Sequence, residues 1–144
     1  MSSHSILLIE DNPADADLTR EALEVNQQDV DLSVVLDGVD ALNFLMKRGP
    51  YADVMEPDLV LLDLNLPRKD GRQVLAEMKA SETLRRIPVV VLSSSEDPGD
   101  IMQSYDLGAN CYVSKPVDFR GFQDTMRCLN RFWFATVKLP TDVS

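Results

Sequence analysis

The sequence predicts an α/β domain built on a doubly wound parallel sheet. Three observations carry that prediction. Short apolar runs recur along the chain and alternate with stretches whose apolar residues follow a helical period. Two of the runs, Leu59-Val60-Leu61-Leu62 and Val89-Val90-Val91-Leu92, are apolar without interruption, as strands covered on both faces must be. The chain has 144 residues, 44% of them hydrophobic and 26% charged, which suits one globular domain with its own core.

The first strand is Ile6-Leu7-Leu8-Ile9. The helix after it opens at Asn12-Pro13-Ala14-Asp15, with a proline fitted to a first helical turn and acids where the helix dipole favours them. It carries Leu18, Ala22 and Val25 at helical spacing. Leu32-Ser33-Val34-Val35-Leu36 is the second strand. Asp37-Gly38 breaks the chain, and the second helix shows Ala41, Leu42, Leu45 and Met46. A loop from Pro50 to Pro57 leads into the third strand at Leu59. Asp70-Gly71 starts a helix with Val74, Leu75 and Met78, and Pro88 leads into the fourth strand at Val89. A polar loop from Ser93 to Gly99 precedes a helix with Ile101 and Tyr105, which stops at Gly108 as a C-cap. Cys111-Tyr112-Val113 is the fifth strand, and a last helix runs from Phe119 into the 130s. Five such units, with no repeat or linker, give a flavodoxin-like (βα)5 fold with strand order 2-1-3-4-5. The expectation is one domain over 1–144, with 131–144 as an extension of the last helix and a tail.

Charge and composition exclude several classes. A net charge of −10 argues against non-specific nucleic-acid binding and against anionic membrane surfaces. No apolar run approaches the ~20 residues that span a bilayer. Met1-Ser2-Ser3-His4-Ser5 has no basic region, and the apolar run after it is too short for a signal-peptide core. A cytoplasmic protein is expected, with Cys111 and Cys128 reduced and partly buried. His4 reads as a tail residue.

The chemistry concentrates at strand ends. The first strand ends in Glu10-Asp11 and the third in Asp63, and in the order above these edges adjoin, so three carboxylates converge. Bare, they repel one another and raise their own pKa values. Protonation or a bound divalent cation relieves this, and Mg²⁺ fits a few carboxylates that leave room for water and a phosphate oxygen. Zinc fits poorly, because His4 is the sole histidine. The fourth strand ends in Ser93, and the fifth is followed by Lys115-Pro116. A hydroxyl and an ammonium beside an acid-bound cation make a phosphoryl site, in which Asp63 can act as nucleophile and form an acyl phosphate. Alone, Asp63 reads as a helix cap, Glu10 and Asp11 as favourable charge near a helix N-terminus, Ser93 as a loop cap and Lys115 as a solvated surface residue. Their common edge changes that reading.

Glu10-Asp11, Asp63, Ser93 and Lys115-Pro116, each after its own strand and in this order, resemble the receiver domain of two-component response regulators. The resemblance covers roughly residues 5–130. It implies that Asp63 accepts a phosphoryl group from a histidine kinase. It implies that Glu10, Asp11 and Asp63 ligate Mg²⁺ by side chains and Asn65 by its backbone carbonyl. Ser93 then moves toward the phosphoryl group, Tyr112 is the aromatic switch, Asn65 and Ser95 influence hydrolysis, and the Lys115–Pro116 peptide is cis. The stretches 63–71, 104–113 and Phe132-Trp133-Phe134 are similar to stand-alone response regulators that partner bacterial and cyanobacterial phytochromes, which often dimerise. Glu10 and Ser93 depart from the commoner Asp and Thr, and both keep the needed oxygen.

Three competing functions are weaker. Haloacid-dehalogenase phosphatases need a second Asp two residues after the nucleophile; Asn65 stands there and cannot carry a proton, so turnover of external phosphate esters is not expected. A phosphorylation-independent docking module would have no use for the intact acid set. A flavin or nucleotide binder on this fold would need a glycine-rich loop after the first strand, which is missing. In the last helix Phe122, Met126, Leu129 and Trp133 follow the core stripe, whereas Phe132, Phe134 and Val137 fall off it. A homodimer through this helix and the neighbouring 101–105 and 111–113 stretches is expected, the alternative being a tail that covers its own domain. No output domain is expected after the last helix, so output passes to a partner protein, to dimerisation or onward with the phosphoryl group.

Overall fold

Five parallel strands form the central layer: β1 (His4–Ile9), β2 (Val30–Val35), β3 (Leu59–Leu62), β4 (Val89–Ser93) and β5 (Cys111–Ser114). Their order is β2-β1-β3-β4-β5, as the sequence predicts. The helices are α1 (Pro13–Val25), α2 (Gly38–Leu45), α3 (Gly71–Ala80), α4 (Pro98–Asp106) and α5 (Phe119–Asn130). The computed structural model describes residues 4–25 and 30–143; Met1 to Ser3 and the side chains of Val25 and Val143 lie outside the described residues.

Strand periodicity divides the core in two. Leu7, Ile9, Val60, Leu62, Val89 and Val91 face one side and pack with Leu42, Leu45, Val74, Leu75 and Met78 of α2 and α3. Ile6, Leu8, Leu59, Leu61, Val90 and Leu92 face the other and pack with Ala22, Leu23, Phe122, Met126 and Leu129 of α1 and α5. Every residue of β3 and β4 is buried, which is why these two strands read as unbroken apolar runs. α4 differs from its neighbours: of its residues only Ser104 is buried, and Met102 and Tyr105 are exposed.

Aspartates start four of the elements. Asp37, Asp70, Asp97 and Asp118 each accept a backbone N–H at the N-terminus of α2, α3, α4 and α5. Asn12 does the same for α1, accepting from Ala14 and Asp15.

The structure corrects several expectations. His4 is no tail residue: it begins β1, pairs in register with Val30, and stacks on Phe134 with ring centroids 4.3 Å apart. β2 starts at Val30 and ends at Val35, leaving Leu36 55% exposed in the turn that leads to the cap of α2. Cys128 is exposed, because it lies on the outer side of α5 while Met126 and Leu129 face the core. After α5 the chain widens into a π-helical turn, Arg131–Thr136. Its larger turn advances less per residue, so Trp133 and Phe134 both pack on the core and only Phe132 of the three aromatics stays outside. The segment beyond folds back beneath the sheet. Leu139 is buried, and the Thr141 hydroxyl donates to Asp58 Oδ1 at 2.6 Å while Asp58 Oδ2 accepts the Ser5 N–H at 2.9 Å.

Two glycines let the β3–α3 loop pass close to its surroundings. A Cβ on Gly38 would lie 2.0 Å from the Lys69 carbonyl oxygen, and one on Gly71 would lie 2.3 Å from the Asp63 carbonyl oxygen and 2.7 Å from Leu64 Cα. These neighbours are backbone and cannot rotate away. Gly71→Ala should therefore lower unfolding stability by ~1–3 kcal/mol, the scale of an overpacked site, seen as a lower urea midpoint at unchanged m value.

Candidate functional site

The carboxyl edge of the sheet assembles the site from backbone register. Ile9 and Leu62 are partners in β1 and β3, so Glu10 and Asp63, one residue past each, emerge side by side. The pairing continues past the strand ends, with the Asp63 N–H donating to the Ile9 carbonyl at 3.0 Å. On the other flank the Lys115 N–H donates to the Ser93 carbonyl at 2.7 Å.

Glu10, Asp11 and Asp63 each offer one carboxylate oxygen to a common centre, and these oxygens lie within 4.8 Å of one another. Glu10 and Asp63 are buried and Asp11 is exposed. The Lys115 ammonium reaches in from the end of β5, 2.7 Å from Glu10 Oε1, 3.0 Å from Asp15 Oδ2 and 3.3 Å from Asp63 Oδ2. Burial pushes Glu10 up to about 7, and the nearby Asp63 charge adds to this while the Lys115 hydrogen bond opposes it. Burial alone would depress Lys115, but its bonds to Glu10 and Asp15 and the charge of Asp63 carry it above the ordinary lysine value. Lys115 is thus fixed as a cation, and Glu10 takes up a proton more readily than a free glutamate.

The donor set fits a hard divalent cation. It is all oxygen, two of its members are buried, and their mutual repulsion is only partly relieved by Lys115. His4 lies at the opposite end of β1, away from the acids.

The remaining candidates gather around the same edge. Asn65 follows Asp63 at the open end of β3 and donates its backbone N–H to Asp63 Oδ1 at 3.3 Å. Ser93 is fully buried, and its hydroxyl oxygen accepts the Ser95 N–H at 3.1 Å. The Tyr112 ring packs against the α2–α3 side of the core, and its hydroxyl donates to the Ser95 carbonyl at 2.8 Å. The Lys115–Pro116 peptide, expected cis, is trans, the isomer an X–Pro bond ordinarily prefers by ~0.5–1 kcal/mol.

Two features went unread in the sequence. Asp15 joins the site through Lys115. It stands in the first turn of α1, four residues after Asp11, and that nearness in the sequence could have drawn attention to it. The second is a relay outward from Ser95. Its hydroxyl donates to Asp100 Oδ2 at 2.6 Å, Asp100 Oδ1 accepts from Arg72 Nη2 at 2.9 Å, and Arg72 also pairs with Asp70 at 3.2 Å. Ser95 and Arg72 hold Asp100 below the usual carboxylate range. No local pattern joins α3 to α4 in this way.

The family model for the response regulator receiver domain matches residues 6–127. The response regulator Rcp1 of Synechocystis sp. is 44% identical over 135 residues, covering 94% of this chain and 92% of Rcp1. The phosphorylated cyanobacterial phytochrome response regulator RcpA superposes with a TM-score of 0.92 at 46% identity, covering 96% of this chain and 99% of that one. The Mn(2+)-bound form of Rcp1 superposes with a TM-score of 0.88 at 44% identity, covering 95% and 99%.

The raised Glu10 pKa makes cation binding pH-dependent. A ligand carboxylate must be ionised, so if Glu10 is one of the ligands, binding would expel its proton and affinity should fall as pH drops through about 7. Titration calorimetry in buffers of different ionisation enthalpy should show proton release below that pH, and Glu10→Gln should abolish it. The sign for folding is opposite. The folded state holds the Glu10 proton more tightly than the unfolded chain, so this group's contribution to stability is present below its unfolded pKa of 4.5 and is lost as pH rises through about 7.

Proposed function

The chain belongs to the response regulator receiver family, and from that premise we propose that Asp63 accepts a phosphoryl group from a histidine kinase. In the transfer an Asp63 carboxylate oxygen forms the new bond to phosphorus. The phosphorus–nitrogen bond to the kinase histidine breaks, and its electron pair returns to the imidazole, which takes up a proton. The observation that carries this reading is the Lys115 ammonium 3.3 Å from Asp63 Oδ2, at the mouth of the acid group.

Each residue has a part. Glu10, Asp11 and Asp63 would hold Mg²⁺ by side chains and Asn65 by its backbone carbonyl; when bound, Mg²⁺ draws negative charge from the transferring phosphoryl oxygens. Lys115 neutralises charge at the same oxygens. Ser93 gives up its contact with the Ser95 N–H and donates its hydroxyl to the phosphoryl group. Tyr112 releases the Ser95 carbonyl and turns inward. Asn65 offers no titrating carboxyl where a phosphatase would keep its acid–base group, which supports slow self-hydrolysis in place of turnover on external esters.

The kinase is of phytochrome type, an inference supported by the likeness to RcpA and Rcp1 over nearly the whole of each chain. The protein acts in the cytoplasm as a single receiver over 1–144, with 131–144 as an extension of the last helix and a tail; no helix of the described residues is long and apolar enough to cross a membrane. Homodimerisation through α5 and its neighbours is supported by the exposed Met102, Tyr105 and Phe132 and the fully exposed Val117.

Phosphotransfer profiling against the host's histidine kinases tests the central claim. Label should pass to the wild-type protein from a phytochrome-type kinase and be absent from Asp63→Asn; silence from every kinase would refute it. Sedimentation velocity with and without beryllofluoride tests the dimer. A monomer under both conditions at micromolar concentrations excludes it.

A further inference from the structure

We propose that Asp15 is a positioning residue for phosphoryl acceptance: it anchors the Lys115 ammonium over Asp63 while the other two partners of that ammonium change state. The inference rests on Asp63 being the phosphoryl acceptor, as argued above.

An ammonium has three N–H donors, and those of Lys115 meet three carboxylates, Glu10 at 2.7 Å, Asp15 at 3.0 Å and Asp63 at 3.3 Å. The three acceptors differ in what the reaction does to them. Asp63, the longest contact, loses its free charge when one of its oxygens becomes bonded to phosphorus. Glu10 belongs to the group of oxygens that converge on a common centre, and its second oxygen already accepts the Asn12 N–H at 3.2 Å. Asp15 stands outside that group, so its charge on Lys115 persists through the whole cycle.

The local structure makes Asp15 a firm anchor. It occupies the first turn of α1, its own N–H is held by Asn12 Oδ1 at 3.2 Å, and its carbonyl accepts the Thr19 hydroxyl at 2.9 Å. Lys115, by contrast, rides on a flexible four-carbon stem at the end of the edge strand β5, where Ser114 is exposed and Pro116 only half-buried. With Asp15 in place one N–H group stays fixed whatever the state of Glu10, and the donor freed from Asp63 points at the incoming phosphoryl oxygen. Without it the ammonium falls back on Glu10 and Asp63 and is withdrawn from the face where the phosphoryl group arrives.

The test is a double-mutant cycle read as the rate of Asp63 labelling by acetyl phosphate at saturating Mg²⁺. Asp15→Ala should slow labelling roughly tenfold, the low end for a charged hydrogen bond because the carboxylate keeps some contact with water. Asp15→Asn, which keeps an acceptor oxygen, should fall between the two. In a Lys115→Ala background removal of Asp15 should change the rate less than about twofold, since its only route to the reaction is gone. A rate unchanged or raised in Asp15→Ala overturns the proposal, and so does an equal loss in both backgrounds. Either result leaves wild-type labelling intact and with it the role of Asp63; a wild type that takes no label refutes that role instead.

Discussion

One ammonium holds the carboxyl edge of this molecule together. Lys115 is separated by 105 residues from Glu10, by 100 from Asp15 and by 52 from Asp63, yet it touches all three. Those acids come from β1, α1 and β3, so a single side chain ties the last strand to the first half of the fold. The arrangement leaves an excess of negative charge in a partly buried place; burial, with the Asp63 charge adding to it, raises Glu10 to about 7. A protein built for stability alone would not gather acids here. The excess is the physical basis for cation binding, and with a cation in place the edge becomes attractive to a phosphoryl group.

The sheet makes this possible by taking the geometry out of the side chains' hands. Register between β1 and β3 places Glu10 beside Asp63, and the bond from Lys115 N–H to the Ser93 carbonyl fixes the opposite flank. The apolar runs that form β3 and β4 are buried on both faces, so their ends cannot slip without exposing core residues. Gly38 and Gly71 complete the frame. They allow the β3–α3 loop, which carries Asn65, to lie directly against α2 and against the Asp63 backbone.

What the sequence revealed follows from this. Glu10, Asp11, Asp63, Ser93 and Lys115 were legible because each sits immediately after an apolar strand, and strand order then dictates that they meet. The order itself was legible because β3 and β4 read as central strands. The misreadings have a common origin in contacts between distant segments. His4 looked like a tail because its partner, Phe134, lies at the other end of the chain. Phe134 looked surface-bound because a regular helix would carry it off the core stripe, whereas the π-helical turn brings it back. Asp15 looked like an ordinary first-turn acid, since nothing local to it discloses Lys115.

The position of Ser95 explains how a change at this edge could reach the surface. Its peptide group bonds to both proposed switch residues, through its N–H to Ser93 and through its carbonyl to Tyr112, while its side chain is anchored to Asp100. Movement of Ser93 toward the acids therefore cannot leave Tyr112 or the first turn of α4 undisturbed. The elements around α4 do not yield equally. α3 and α5 bury apolar side chains against the sheet, whereas α4 buries only Ser104 and is tied to α3 by the polar contacts of Arg72 with Asp100 and Gln103. Polar contacts of this kind, partly open to water, contribute far less than buried apolar area. α4 is thus the element that is least costly to displace, and it carries the exposed Met102 and Tyr105. The same feature that makes α4 poorly packed makes it the natural place for the state of Asp63 to become visible to a partner.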